Sequence, residues 1–159
     1  MLAKVGQRLP DVTLAKANGE FVEQVQLVRM LEGRKVILVG LPGAFTPVCT
    51  GQHLPLLVQM ADQLKASGID DIVCIAPNSP WVVQEWSRRT DPEGRLMFLS
   101  DGNLDFTRQA GMATHEPGLF LGECSKRYTM VVEHAVVTRL AVEDRVEAFN
   151  CTNPQQIRI

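Results

Sequence analysis

Apolar and polar positions follow two rhythms along this chain. Residues 35–41 (Lys-Val-Ile-Leu-Val-Gly-Leu) and Asp71–Ala76 (Asp-Ile-Val-Cys-Ile-Ala) are short, nearly continuous apolar runs. Such runs predict strands buried on both faces, inside a mixed or parallel sheet. In residues 50–66 the rhythm changes, and Leu54, Leu57, Val58, Ala61 and Leu64 fall at helical spacing. Residues 79–89 repeat it through Val82, Val83 and Trp86, with Ser79 placed to cap the helix and Pro80 to open it. Residues 96–99 predict a short strand, and residues 104–110 a short helix closed by Gly111. Tyr128–Glu133 and Val136–Val142 are rich in β-branched residues and predict an antiparallel hairpin. Thr13-Leu14 and Glu20-Phe21 around Asn18-Gly19 predict a smaller hairpin.

The order of elements predicts an α/β fold with parallel central strands and an antiparallel edge. No repeat, linker or low-complexity tract divides the chain, so residues 1–159 are expected to form one domain. About 45% of the chain is hydrophobic, enough for one core without staples.

Charge narrows the function. A net charge of −2 gives no basic footprint for nucleic acid and no polybasic patch for a membrane surface. No apolar run approaches the roughly 20 residues that span a bilayer. The start, Met1-Leu2-Ala3-Lys4-Val5-Gly6-Gln7, lacks the apolar centre of a signal peptide. The expected location is cytoplasmic, or an organelle matrix if a transit peptide has been removed.

Four cysteines, Cys49, Cys74, Cys124 and Cys151, stand apart from one another. None forms a Cys-x-x-Cys pair, which argues against a zinc knuckle and against a dithiol oxidoreductase. A reducing compartment also argues against a disulfide scaffold. Cys49 has the most informative surroundings. Gly40-Leu41-Pro42-Gly43 ends the first buried strand, Thr46 can cap a helix, and Pro47 suits its first position. Cys49 is then the third helical residue, where free backbone N–H groups and the helix dipole favour a thiolate. Residues 36–61 contain no Asp, Glu, Lys or Arg, so a cationic partner must come from elsewhere. His53 shares the helix face of Cys49, and Arg127, entering a strand, is the better permanent cation. Pro55 should kink the helix.

These residues carry a resemblance. Gly-Leu-Pro-Gly-Ala-Phe-Thr-Pro-Val-Cys-Thr-Gly-Gln-His-Leu-Pro (residues 40–55) resembles the active-site segment of the peroxiredoxins, in the branch of human peroxiredoxin 5 and plant type II peroxiredoxin. The family pattern Pro-x-x-x-Thr/Ser-x-x-Cys is met by Pro42, Thr46 and Cys49. Lys126-Arg127-Tyr128-Thr129-Met130-Val131-Val132 resembles the family's Arg-bearing strand, and Asn78, Trp81 to Val83 and Glu85-Trp86 its middle section.

The resemblance implies a thioredoxin-like fold, a mixed sheet with helices on both faces, and a thiol peroxidase acting on hydrogen peroxide and organic hydroperoxides. Cys49 is then the attacking thiolate, which becomes a sulfenic acid. Thr46 holds peroxide and thiolate in line, Arg127 stabilises the thiolate and polarises the peroxide, and Pro42 shields the pocket. The backbone of residues 43–49 donates to the oxygens, with Gly43, Val48 and His53 as substrate contacts. His53 reads equally well as a satisfied helix-face histidine. No metal, haem, selenium or flavin cofactor is implied. Different branches imply different resolving routes: Cys151 near the C-terminus, Cys74 mid-strand, or Cys49 alone with glutathione or glutaredoxin resolving the sulfenic acid. Cys151 is favoured, because a terminal thiol moves more readily than a core strand. Cys124 reads as a loop thiol, exposed to solvent. Trp81 and Trp86 read as core or interface aromatics. Glutathione with glutaredoxin, or thioredoxin, is the implied reductant, and a homodimer the implied assembly. A redox sensor, in which oxidised Cys49 alters a partner surface, is the alternative from another class.

Overall fold

In the computed structural model, which describes residues 3–159, the two apolar runs lie side by side in the middle of one sheet; Met1 and Leu2 of the N-terminal segment lie outside it. A hairpin of β1 (Thr13–Asn18) and β2 (Phe21–Gln26) leads into α1 (Leu27–Leu31) and β3 (Lys35–Gly40). A helix opens at Pro47, passes through a π-turn at Cys49–His53 and continues as α2 (Leu54–Ala66). Then follow β4 (Asp71–Ala76), α3 (Pro80–Thr90), β5 (Met97–Ser100) and α4 (Asp105–Gln109). β6 (Ala113–Glu116) and β7 (Gly122–Ser125) pair with each other alone, and β8 (Tyr128–Glu133) and β9 (Val136–Val142) close the main sheet. Its seven strands run in the order β2-β1-β5-β4-β3-β8-β9. β3, β4 and β5 are parallel, while β1 and β8 join them antiparallel. This is the expected α/β fold with a mixed sheet.

The side-chain period of two divides β3 between two cores. Val36 and Leu38 face Leu27, Leu31 and Phe106 of α1 and α4. Ile37 and Val39 face Leu54, Leu57, Ala61 and Trp86 of α2 and α3. Helices therefore cover both faces. Each such side chain contributes roughly 1.5–3 kcal/mol of burial, so both faces hold the strand firmly. The same rule sorts β8. Tyr128, Met130 and Val132 join the first core and Val131 the second, which turns Arg127 toward the face that carries α2.

Several expectations change. The first hairpin is longer than its turn residues suggested. The β6–β7 pair and α1 carried no clear period. Val82 and Trp81 are 40% and 51% exposed, so the buried face of α3 is Val83 and Trp86 alone. Cys124, expected in an exposed loop, is buried on β7. The break expected at Pro55 takes the form of a widened turn in a helix that opens, as expected, at Pro47. The helix widens just ahead of Pro55, where the Leu54 N–H bonds the Cys49 carbonyl. A wide turn accommodates a ring that would otherwise crowd the carbonyl four residues back.

Candidate active site

The segment between β3 and the helix is fixed from both sides. Asn78 Oδ1 accepts from the Ala44 N–H at 2.8 Å, tying the loop to the end of β4. Phe45 takes a left-handed φ of 62° and turns the chain into the helix. A Cβ on Gly43 would lie 3.2 Å from Thr46 Cγ2, so the loop turns tightly there. Thr46 stands at the cap position, its carbonyl accepting from the Thr50 N–H at 2.9 Å. Its hydroxyl does not cap the helix. It donates to the Gly43 carbonyl at 2.8 Å. Trp86, buried in the second core, donates its Nε1–H to Thr50 Oγ1 at 3.1 Å and supports the π-turn from below.

Cys49 is fully buried at the start of this turn. Arg127, 1% exposed, comes in from the foot of β8. Its Nη2 donates to Cys49 Sγ at 3.2 Å and to the Val146 carbonyl at 2.9 Å. Nε reaches the same carbonyl at 3.3 Å, and Nη1 donates to His53 Nδ1 at 3.0 Å. Among the described residues no carboxylate pairs with Arg127. A buried, hydrogen-bonded guanidinium without an acid therefore faces a cysteine sulfur. A cleft of about 190 Å³ opens beside them, lined by Pro42, Thr46, Val48, Leu119, Leu121 and Val146 among others.

A protein-family model, Redoxin, matches residues 4–154. Peroxiredoxin-2C of Oryza sativa subsp. japonica is 36% identical over 88% of this chain and 87% of its own. The chain belongs to the peroxiredoxin family. Peroxiredoxin-2E-2, chloroplastic, of the same plant is 37% identical over 88% of this chain and 64% of its own length. A solved structure of reduced Prx3 from Vibrio vulnificus in complex with hydrogen peroxide superposes with a TM-score of 0.91 at 34% identity, covering 98% of this chain and 93% of that one. The type II resemblance and the thioredoxin-like fold are thereby shown, and the chain is a thiol peroxidase.

Within this peroxidase the other sequence candidates are placed as follows. Pro42 and Val48 line the cleft, and Gly43 lies behind it, its carbonyl accepting from the Thr46 hydroxyl. His53 is fully buried and touches Arg127 and the ring of Phe149, its centroid 4.8 Å away, rather than the cleft. Cys74 is buried in β4, between Val39 and Phe98 in register, and burial followed by the Asp91 charge pushes its thiol well up. Burial and then the Glu116 charge push Cys124 up to about 11. Cys151 is exposed and donates to the Val142 carbonyl at 3.4 Å. Sequence reasoning missed the Val146 carbonyl, because backbone groups leave no mark in residue identity. Asn78 entered only through the resemblance.

Burial, then the Arg127 charge, lowers His53 from 6.5 to about 3. The unfolded chain takes up this proton near 6.5 and the fold does not until about 3. Protons thus favour unfolding as pH falls between those values. Urea unfolding should show the stability advantage of the parent over His53→Asn shrinking from pH 7 to pH 5. An advantage equal at both pH values would mean that His53 is not held neutral.

Proposed function

We propose that the peroxidase reduces hydrogen peroxide and organic hydroperoxides through a sulfenic acid at Cys49. The observation that supports this most directly is the contact between buried Arg127 and buried Cys49 at 3.2 Å, with no carboxylate on the guanidinium among the described residues. A buried cation needs a counter-charge, and a thiolate supplies one. The Cys49 thiolate attacks one peroxide oxygen, the O–O bond breaks, and water or an alcohol leaves with a proton. Arg127 stabilises the thiolate and the developing charge, Thr46 turns its hydroxyl from Gly43 to the peroxide, and Pro42 and Val48 keep water away.

The resolving step belongs to Cys151. It is the exposed thiol, whereas Cys74 is buried mid-strand in the core it shares with Cys49, where burial holds its thiol well up. Its thiol attacks the sulfenic sulfur, giving a disulfide and water, which glutathione with glutaredoxin, or thioredoxin, reduces. Leu119 and Phe120, 44% and 96% exposed beside the cleft, support a homodimer covering this edge. We place residues 1–159 in one domain, acting in the cytoplasm or in an organelle matrix, the latter in keeping with the chloroplastic relative. No described helix is long and apolar enough to cross a membrane.

Mass spectrometry after one equivalent of hydrogen peroxide tests the cycle. The expected product is a Cys49–Cys151 disulfide. A Cys49–Cys74 disulfide would overturn the choice of Cys151. A lasting sulfenic acid at Cys49 would pass resolution to an external thiol.

A further inference from the structure

Glu143 takes no part in the reaction described above, yet it is only 6% exposed and no cation pairs with it among the described residues. An ionised carboxylate is costly to bury and needs several donors to hold it. Three donors come from one short turn. Glu143 Oε1 accepts from the Asn150 N–H at 2.6 Å, the Thr152 N–H at 2.9 Å and the Thr152 hydroxyl at 2.8 Å. Asn150 and Thr152 are the two neighbours of Cys151. The Glu143 N–H donates to the Arg127 carbonyl at 2.9 Å, so the grip is anchored at the foot of β8 beside the reactive centre.

We propose that Glu143 is a positioning residue for Cys151: its carboxylate holds the backbone on both sides of that cysteine and keeps the thiol docked and unreactive until the turn is released. The inference rests on the reading of Cys151 as the thiol that meets oxidised Cys49. The electrostatics agree in sign. Burial first, then the charge and hydrogen bond of Glu143, push the Cys151 thiol up, with a smaller contribution from Asp144. Arg139 of β9 and Arg158 line a groove with Cys151 and are the cations that face it. Both are exposed, so water screens them more than it screens buried Glu143.

The device has a chemical use. The disulfide forms when the Cys151 sulfur attacks the sulfenic sulfur of Cys49, with hydroxide taking a proton and leaving as water. A docked, protonated Cys151 does not attack other electrophiles while Cys49 is still reduced. Release of the turn frees the thiol and removes the Glu143 charge from it together.

The test uses the full chain in a Cys49→Ser background, where Cys151 is the exposed thiol. Its alkylation by uncharged iodoacetamide is followed from pH 6 to pH 10, with the modified residue located by peptide mass spectrometry. Glu143→Gln removes the charge and retains an acceptor oxygen. It should speed alkylation at pH 7.5 by roughly three- to tenfold and move the rate–pH curve to lower pH. Glu143→Asp, which keeps the charge, should leave the curve near its parent position. A Glu143→Gln curve that superimposes on the parent would overturn the proposal. In the chain with Cys49 intact, Glu143→Gln should also form the Cys49–Cys151 disulfide faster after one equivalent of hydrogen peroxide. If the parent forms no such disulfide, the resolving role of Cys151 fails, and the alkylation curves still decide what Glu143 does to the thiol.

Discussion

Cys49→Ser should abolish peroxide turnover while leaving the fold in place. The serine oxygen replaces a fully buried sulfur at the start of the π-turn, and Arg127 Nη2 can donate to it as it does to Sγ. Stability should fall by about 3–5 kcal/mol at most, because Arg127 loses the thiolate counter-charge but keeps a hydroxyl and the Val146 carbonyl as acceptors. A serine hydroxyl has no accessible anion at neutral pH and forms no stable S–O product, so the reaction loses both its nucleophile and its product. Removing the nucleophile of a covalent enzyme costs on the order of 10⁶-fold. Peroxide consumption in the presence of a thiol reductant measures this, and circular dichroism melting checks the fold. Consumption at the parent rate would place the chemistry on another thiol. The same assay separates a peroxidase from a redox sensor: the parent should turn over many times per Cys49, whereas a sensor stops after one oxidation.

The candidate site was legible in the sequence wherever it depends on residue type and local geometry. Pro42, Thr46 and Cys49 lie close in sequence, so their spacing already fixes a strand end, a cap and a first helical turn. Arg127 could be placed because β8 has a clear period, which sets the face toward which its neighbours point. The lack of charge in residues 36–61 sent the search for a cation to a distant strand, where Arg127 lies 3.2 Å from Cys49 Sγ.

What stayed illegible depends on contacts between distant segments. The Val146 carbonyl holds Arg127 through two bonds, and any residue could offer that carbonyl. Glu143 looks like one more acid in a charged stretch until its three donors are seen. Cys124 was read as exposed because its strand is four residues long and pairs only with β6, too short for a visible period. The π-turn was missed because a proline at position 55 suggests a kink, and only the relaxed backbone shows that widening accommodates it. His53 had two readings of equal weight, and its place against Arg127 and Phe149 comes from tertiary packing alone.

Gly40→Ala should be the most destabilising single substitution near the site. β3 is apolar on both faces, so polarity alone does not fix its register against β8. Shape does. Gly40 lies opposite Tyr128 in the antiparallel pairing, and the Tyr128 ring crosses the space that a side chain at residue 40 would fill. A Cβ there would meet the ring carbons at 1.9 to 2.4 Å, far inside van der Waals contact. The ring has nowhere to go, because it is fully buried in the first core with its centroid 6.4 Å from that of Phe106. Overpacking of a single methyl commonly costs about 1–3 kcal/mol. Here backbone and ring must both shift, so a loss of at least about 3 kcal/mol is expected, a large share of the roughly 5–15 kcal/mol that holds a domain. Urea unfolding measures it. Tyr128→Phe separates shape from hydrogen bonding. Among the described residues the Tyr128 hydroxyl has no hydrogen-bond partner, so its removal should cost little, and it should not rescue Gly40→Ala because the ring remains. Tyr128→Ala should rescue, making the double variant more stable than the two single losses sum to. Additive losses would mean that the glycine serves the backbone rather than the ring. Arg127 precedes this tyrosine, so any shift of the pair should also move the guanidinium away from Cys49, and peroxidase activity should fall along with stability in Gly40→Ala.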